Sequence, residues 1–480
     1  MPKYSSFHQI QTDLASGNAT CSQLVAYYLR RIKATKDLNI YIEVYGEEAL
    51  RRAADLDMKY IEDPTSVGRL YGMVISVKDV ICQKDKQVTA AAKILEGFTS
   101  LFSATGLERL LAEDAIVIGR VNCDQFAMGS TNENSIYGPT RNAANPDKVP
   151  GGSSGASAVA VQADTCLVSL GTDTGGSVRQ PAAFCGVIGM KPTYGRVSRY
   201  GLLAYGSSFD QIGTLTHSVE DAALLLELMA GQDEMDATSS SRAVEKYSEN
   251  VVFEGKAKIA YFDASLNSEG IDPEIKAQTL AFMAQLQAEG HTLEAVQFDY
   301  MDYLIPAYYV LTTAEASSNL ARYDGIRYGY RHPEASNLME TYTKSRTAGF
   351  STEVKRRIML GTFVLSAGYY DAYYTKAQKV RRLISEQTQG ILKDYDFILL
   401  PASPIPAWNI GESLDNPVAM YLADIFTVYA NMVGIPAIAF PIGETTDTLP
   451  IGVQLMSNNF EEGKLMAFVK NWKGSVKGVE

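Results

Sequence analysis

Seven short runs rich in β-branched and aliphatic residues, MVISVKD, AIVIG, CLVSLG, KIAYF, FILLP, AIAFP and IGVQLM, are bounded by turn or charged residues and separated by stretches of helical periodicity. Such runs read as strands. Strands alternating with helices must stack in layers, because each sheet face and each helix stripe has to bury its apolar side against another element. The fold class is therefore α/β, with a substantially parallel or mixed sheet. The helical patterns carry their own boundaries. After Thr20, Leu24, Val25, Tyr28, Leu29 and Ile32 recur on one face, with Arg30, Arg31 and Lys33 opposite and at the end. Asn18-Ala19-Thr20 is thus helix-start chemistry rather than a glycan acceptor. Ser218 and Asp221 occupy capping-box positions of a second helix, and Gly231 stands just past its end. No linker, low-complexity tract or repeat divides the 480 residues, so a single domain over 1–480 is expected. Its segment from about 299 to 382, rich in tyrosine and charge, reads as a helical layer covering a pocket.

A net charge of −12 argues against a basic nucleic-acid groove on this chain. Any RNA would be held mostly by a partner. Five cysteines without a Cys-x-x-Cys pair read as reduced thiols, and no ligand spacing suggests a metal. Without an apolar leader or a membrane-length apolar run, a soluble, cytoplasmic protein with no membrane partner is expected.

The stretch VPGGSSGASAVA, Val149 to Ala160, invites several readings. A phosphate loop needs a Gly-Lys-Ser/Thr ending, and a dinucleotide fingerprint needs a strand directly before it. Both conditions fail. A linker would not turn abruptly into ASAVAVQA, a run suited to a closely packed helix. Gly151 to Gly155 formally matches the Gly-x-Ser-x-Gly nucleophile elbow, but loop rather than strand precedes it. His8, His217, His291 and His332 all stand where ordinary surface or capping histidines stand, so a serine nucleophile here would need another base.

A strand, CLVSLG, runs into Thr172-Asp173-Thr174-Gly175-Gly176-Ser177. Glycines just before a serine let backbone N–H groups converge, as an oxyanion hole requires. A plain strand-to-helix turn explains the glycines but not Asp173 and Arg179. Lys78 closes the otherwise apolar strand YGMVISVKDV. Alone it reads as a solvated strand end; facing a core, it would lose hydration and favour the neutral, proton-accepting amine.

Lys78, Ser153 and Ser177, spaced by 75 and 24 residues, together with GGSSGASA and GTDTGGSVRQPAAFCGVIGMKPTYGRVS, resemble the Lys-Ser-Ser machinery and signature stretch of the amidase signature family. The resemblance spans essentially the whole chain through FAMGSTNENS, SSFDQIGTLTHSVEDAALLLELMAG, EASSNLARYDGIRYGYR, VKRRIMLGTFVLSAGYYDAYYTKAQKVR and VGIPAIAFPIG. It is nearest to members that hydrolyse glutamine within tRNA-dependent amidotransferases. It implies a central mixed sheet sandwiched by helices. Ser177 would attack the glutamine carboxamide, Ser153 would relay the proton, and Lys78 would serve as base and then as acid. Backbone around Thr174, Gly175 and Gly176 would hold the oxyanion, with Asp173 and Arg179 supporting that loop. Arg357 in VKRRIML would clamp the α-carboxylate and Asp424 in MYLADIF the α-amine, with Tyr308 beside them. The resemblance also implies partner subunits B and C, Glu-tRNA(Gln) reached through the complex, no cofactor on this chain, and ATP and magnesium used by the assembly.

Three positions depart from the family's usual pattern: Ala156 for a glycine, Gln125 for an acidic residue, and AAA where a hydroxyl or thiol usually precedes KIL. All three spare Lys78, Ser153 and Ser177. A stand-alone amidase for a small or aryl amide would have no use for Arg357 and Asp424. A non-catalytic scaffold would have no use for the Lys-Ser-Ser trio.

Overall fold

The computed structural model describes residues 3–249, 252–268, 270–412 and 423–473. All seven expected runs are strands: β2 (Val74–Lys78), β3 (Ile116–Val121), β4 (Val168–Asp173), β7 (Lys258–Phe262), β9 (Phe397–Pro401), β10 (Ala437–Glu444) and β11 (Pro450–Met456). Four further strands join them: β1 (Tyr41–Val44), β5 (Ile188–Lys191), β6 (Gln211–Thr216) and β8 (Thr292–Val296). β1 and β8 form the half-exposed edges, while β5 and β6 are short and interrupted by glycine, which weakens their strand signal.

Together they make one mixed eleven-stranded sheet in the order β1-β3-β2-β4-β6-β5-β10-β11-β9-β7-β8. β2 runs parallel to both β3 and β4, whereas β4 to β6, and β6 through β5, β10 and β11 to β9, are antiparallel. Every residue of β2, β3, β4 and β6 is buried, as expected for strands covered on both faces. Because β2 and β4 are parallel neighbours, their C-terminal ends open on the same side. Lys78 ends one and Asp173 the other, so the loops that follow meet there.

Thr20 caps the helix Cys21–Ala34 in a reciprocal box with Gln23. Ser218 caps Val219–Met229, but Asp221 does not close that box. Its carboxylate accepts instead from the Phe7 N–H, at 3.0 and 3.1 Å, and so ties down the helix Phe7–Ala15. The tyrosine-rich segment forms the helices Met301–Asn319, Leu338–Gly349, Thr352–Val364 and Lys376–Asp394, the last running past residue 382. Met301–Asn319 crosses Thr352–Val364 at Gly361, where any Cβ would collide with the Thr313 carbonyl. All five cysteines are free and buried. Among the described residues, no helix is long and apolar enough to cross a membrane, and no His/Cys/Asp/Glu group could hold a metal ion.

Candidate active site

Lys78 is fully buried at the end of β2, and its Nζ lies 2.7 Å from Ser153 Oγ, 2.8 Å from Ser154 Oγ and 2.9 Å from Thr172 Oγ1. Three hydroxyls thus replace the water an ammonium would have. Burial pulls its pKa down to about 8, against the opposing pull of Cys123, Asp124, Asp173 and Asp210, so about a tenth of it is neutral at pH 7 and most of it above about pH 8. Sequence reasoning missed Ser154 and Thr172 as partners of Lys78. Ser154 sat in the quoted loop but is indistinguishable by spacing from Ser153.

The Gly152–Ser153 peptide is cis. Beneath it lies Asp124, whose carboxylate accepts the Asn132 and Asn134 N–H groups at 2.9 and 3.0 Å and is pushed up to about 6 by burial. Ser154 N–H donates to the Ser177 carbonyl at 3.2 Å, joining the two serine loops. Lys78 and Ser153 are 0% exposed and Ser177 is 7% exposed, so of the three only Ser177 can be touched from outside.

Asp173 organises the turn before Ser177. It accepts from Gly176 N–H at 2.9 Å, Val178 N–H at 3.2 Å, and Arg179 Nε and Nη2 at 3.1 and 3.0 Å. Arg179, fully buried, also donates to Asn431 Oδ1 at 2.6 Å, to the Thr427 carbonyl at 2.8 Å and to Gln454 Oε1. Burial alone would raise the Asp173 pKa, but the Arg179 charge and hydrogen bonds bring it to about 2, so it remains an anion. One expectation changes here: the Gly176 N–H is held by Asp173 and does not face an oxyanion. Gly176 contributes its φ of +125°, which few other residues adopt, while Thr174, Gly175 and Ser177 carry the remaining N–H groups of the turn. Thr427 Oγ1 pins the turn by donating to the Gly175 carbonyl at 2.8 Å, and Thr174 Oγ1 donates to buried Asp210 at 2.6 Å.

Tyr308 lies against this turn so closely that a Cβ on Gly175 would sit 2.6 Å from its Cζ. Arg357 is buried at 3% exposure, with Nε donating to Glu353 at 2.8 Å and Nη1 to the Tyr205 hydroxyl at 2.8 Å, while its planar group lies 5.5 and 5.3 Å from the Tyr205 and Tyr309 rings. Asp424 accepts from Ser130 Oγ and, at 3.4 Å, from Gln180 Nε2. Gln180 also accepts the Gly152 N–H at 3.0 Å, so one side chain links the serine loop to this carboxylate. Burial pushes Asp424 up to about 7 despite the lowering effects of Ser130 and Arg357. Arg357 and Asp424 are close enough for their charges to act on each other and on Tyr308, so a buried cation, a buried carboxylate and a tyrosine gather beside Gly175 of the reactive turn. Ser130, Gln180 and Thr427 gave no sequence signal, since hydroxyl and amide residues in loops are common. The histidines do other work: His217 Nε2 meets the Val161 carbonyl at 2.9 Å, and Nδ1 of His291 and of His332 accept backbone N–H groups at 2.9 and 3.2 Å.

A family model described as Amidase matches residues 23–466. The chain belongs to the amidase signature family. This amidase is 50% identical over 475 residues, 98% of each chain, to the A subunit of glutamyl-tRNA(Gln) amidotransferase from Chlorobaculum parvum. It is 51% identical over 469 residues to the protein of the same name from Chlorobium phaeobacteroides, covering 96% of this chain and 97% of that one. A solved structure of the glutamyl-tRNA(Gln) amidotransferase A subunit from Thermotoga maritima superposes with a TM-score of 0.76 at 38% identity, over 93% of this chain and 90% of that one. A bacterial aryl acylamidase, at 21% identity over 97% and 95% of the two chains, shares the fold with a TM-score of 0.85.

The departures of this amidase from the usual pattern have structural counterparts. Ala156 lies in the first turn of the helix Gly155–Gln162, with its N–H on Asn132 Oδ1 at 2.9 Å. Gln125 Oε1 accepts the Ser351 N–H at 3.0 Å, at the cap of the helix that carries Arg357. Ala90 and Ala91 are buried with φ near +50°, and the Ala91 N–H is held by Asp79 at 2.9 Å.

Proposed function

We propose that this amidase is the glutamine-hydrolysing component of a tRNA-dependent amidotransferase. The observation that supports this function is a buried guanidinium, Arg357, and a buried carboxylate, Asp424, both near enough to act on the Tyr308 that lies against Gly175. Free glutamine is a zwitterion, and a cation and an anion at the far end of a pocket orient it with its carboxamide toward the reacting serine. An aryl or simple alkyl amide offers nothing to either group.

In the proposed reaction, neutral Lys78 takes the Ser153 proton as Ser153 takes that of Ser177, and Ser177 Oγ bonds to the carboxamide carbon. The resulting oxyanion is met by N–H groups of Thr174, Gly175 and Ser177. The proton returns from Lys78 through Ser153 to the amide nitrogen, the C–N bond breaks, and ammonia leaves an acyl-enzyme. Water then releases glutamate by the same relay. Of the two partner subunits B and C, the first consumes the ammonia, using ATP and magnesium to activate Glu-tRNA(Gln), and the second joins it to this chain. The acidic balance of this chain, −12, is consistent with RNA and nucleotide being gripped elsewhere. Free, buried thiols fit work in the cytoplasm.

The test is ammonia release from glutamine by the chain assembled with subunits B and C, with Gln-tRNA(Gln) formation measured in parallel. Ser177→Ala should abolish both, with external ammonium restoring only the second. Glutamine turnover absent from the full assembly, with simple amides still hydrolysed, overturns the proposal.

A further inference from the structure

Tyr205 belongs to the loop between β5 and β6, outside every group assigned above, yet it connects the pocket's cation to the reactive turn. Its hydroxyl accepts from Arg357 Nη1 at 2.8 Å and donates to Thr312 Oγ1 at 3.0 Å, and Thr312 in turn donates to the Tyr308 carbonyl at 2.8 Å. The direction of this chain is fixed. A guanidinium only donates, and Thr312 has its own proton on Tyr308, so the Tyr205 proton must lie toward Thr312 and its lone pair toward Arg357. Tyr205 is 2% exposed, and no water can stand in for either bond without rearrangement.

The same residue is anchored at its backbone. Asp210 Oδ2 accepts the Tyr205 N–H at 2.9 Å, while its Oδ1 accepts both the Gly206 N–H at 3.2 Å and the Thr174 hydroxyl at 2.6 Å. The path Thr174–Asp210–Tyr205–Arg357 therefore runs from the turn that meets the oxyanion to the group that meets the carboxylate.

We infer that Tyr205 is a positioning residue for substrate selection: it holds the Arg357 guanidinium at the distance from Ser177 that suits a glutamine-length amino acid. This rests on the glutaminase function proposed above. Tyr205 touches no reacting atom, so its loss should act on binding of the zwitterion and leave the Lys-Ser-Ser chemistry intact.

The experiment uses the assembled complex and compares glutamine with butyramide, an amide without α-carboxylate or α-amine. For Tyr205→Phe, the KM for glutamine should rise about tenfold, the loss expected for a hydrogen bond to a charged group, with kcat changed less than about twofold. Butyramide hydrolysis should be unchanged. Thr312→Val, which removes the acceptor for the Tyr205 proton while keeping its volume, should shift the glutamine KM in the same direction by a smaller factor. It also serves if the phenylalanine variant fails to fold. An unchanged glutamine KM in either folded variant overturns the inference alone, as does an equal loss for both substrates, which marks a merely structural role. A wild-type complex with no glutamine turnover overturns the proposed function instead.

Discussion

Arg356 and Arg357 share one carboxylate, Glu353, yet sit in different surroundings: Arg356 is half-exposed on the outer side of the helix Thr352–Val364, while Arg357 is buried against the Tyr205 and Tyr309 rings. Adjacent helical residues differ by about 100° around the axis, so one lies over the pocket and the other in solvent. The two should separate cleanly in kinetics. Arg357→Lys keeps the charge but loses the planar fork and its stacking, and should raise the glutamine KM by about 10² while leaving butyramide hydrolysis unchanged. Arg356→Ala should leave both within about twofold. Steady-state ammonia release from the two variants decides it, and a stronger effect at Arg356 would reverse the assignment.

The pH profile should carry two separate limbs. Lys78, at about 8, must be neutral to accept a proton, so kcat/KM for any amide should fall about tenfold per unit below that pH and level off above it. Asp424, at about 7, must be anionic to hold an α-amine, so glutamine binding should weaken further below that value. Butyramide, with no amine, should show the Lys78 limb alone. Parallel profiles for the two amides from about pH 5.5 to about 9.5, a window that brackets both groups, test this; identical curves would remove Asp424 from glutamine recognition.

The parts of this site that were legible in the sequence are those where a residue is chemically out of place. Lys78 stands out because a lysine ends an apolar strand, and Ser177 because two glycines precede it on a strand exit. β2 and β4 were readable as continuous buried runs, and their pairing then brings Lys78 and Asp173 together. Long-range hydrogen bonds were not legible. Nothing in the local pattern says that Gln125 reaches Ser351, that Thr427 pins Gly175, or that Arg179 meets Asn431 and Gln454. Spacing also could not reveal that the Gly176 N–H faces Asp173, because a glycine-rich turn looks the same whether its N–H groups face a ligand or the protein.

Asp173 and Arg179 are both 0% exposed, so removing one leaves the other charged and uncompensated. Asp173→Asn should destabilise the chain by about 3–5 kcal/mol, measured by urea unfolding near neutral pH. The pH dependence has a definite sign. The folded-state pKa of about 2 lies below the ordinary 3.8, so the ionic contribution is fully present above about pH 4 and is lost as pH falls through 2. It amounts to about 2 kcal/mol. The stability gap between wild type and Asp173→Asn should therefore be constant from about pH 7 to about 4 and narrow below that. A gap independent of pH down to about 2 would rule out this ion pair as its source.

Gln125→Ala removes the acceptor of the Ser351 N–H at the start of the helix that carries Arg357. Ser351 already caps that helix by accepting the Val354 N–H at 3.3 Å, so the helix should persist but its first turn should loosen. A stability loss of about 1 kcal/mol follows from losing this part-buried hydrogen bond, with a higher glutamine KM and an unchanged butyramide rate. Unfolding midpoints and the two-substrate comparison read this out. A loss confined to kcat would place the effect on the reactive turn instead.

Gly176→Ala tests whether the shape of the turn, apart from its N–H, is needed. A methyl there meets two separate obstacles: the φ of +125°, which L-residues rarely adopt, and the Thr427 side chain, whose Oγ1 and Cβ lie inside contact distance of an added Cβ. Either the turn moves or Thr427 is displaced and releases the Gly175 carbonyl it holds at 2.8 Å. Both outcomes shift N–H groups whose aim sets oxyanion stabilisation, and losing one such donor costs about 10² to 10³ in rate. The kcat should fall by about that factor for glutamine and butyramide alike, since both form the same oxyanion. Adding Thr427→Gly removes the side-chain atoms the methyl would meet but leaves the backbone strain, so the double variant should regain part of the lost unfolding stability and little of the lost kcat. Full recovery of kcat in the double variant would show that the clash alone matters, and a Gly176→Ala enzyme with wild-type kcat would show that the turn tolerates a different shape.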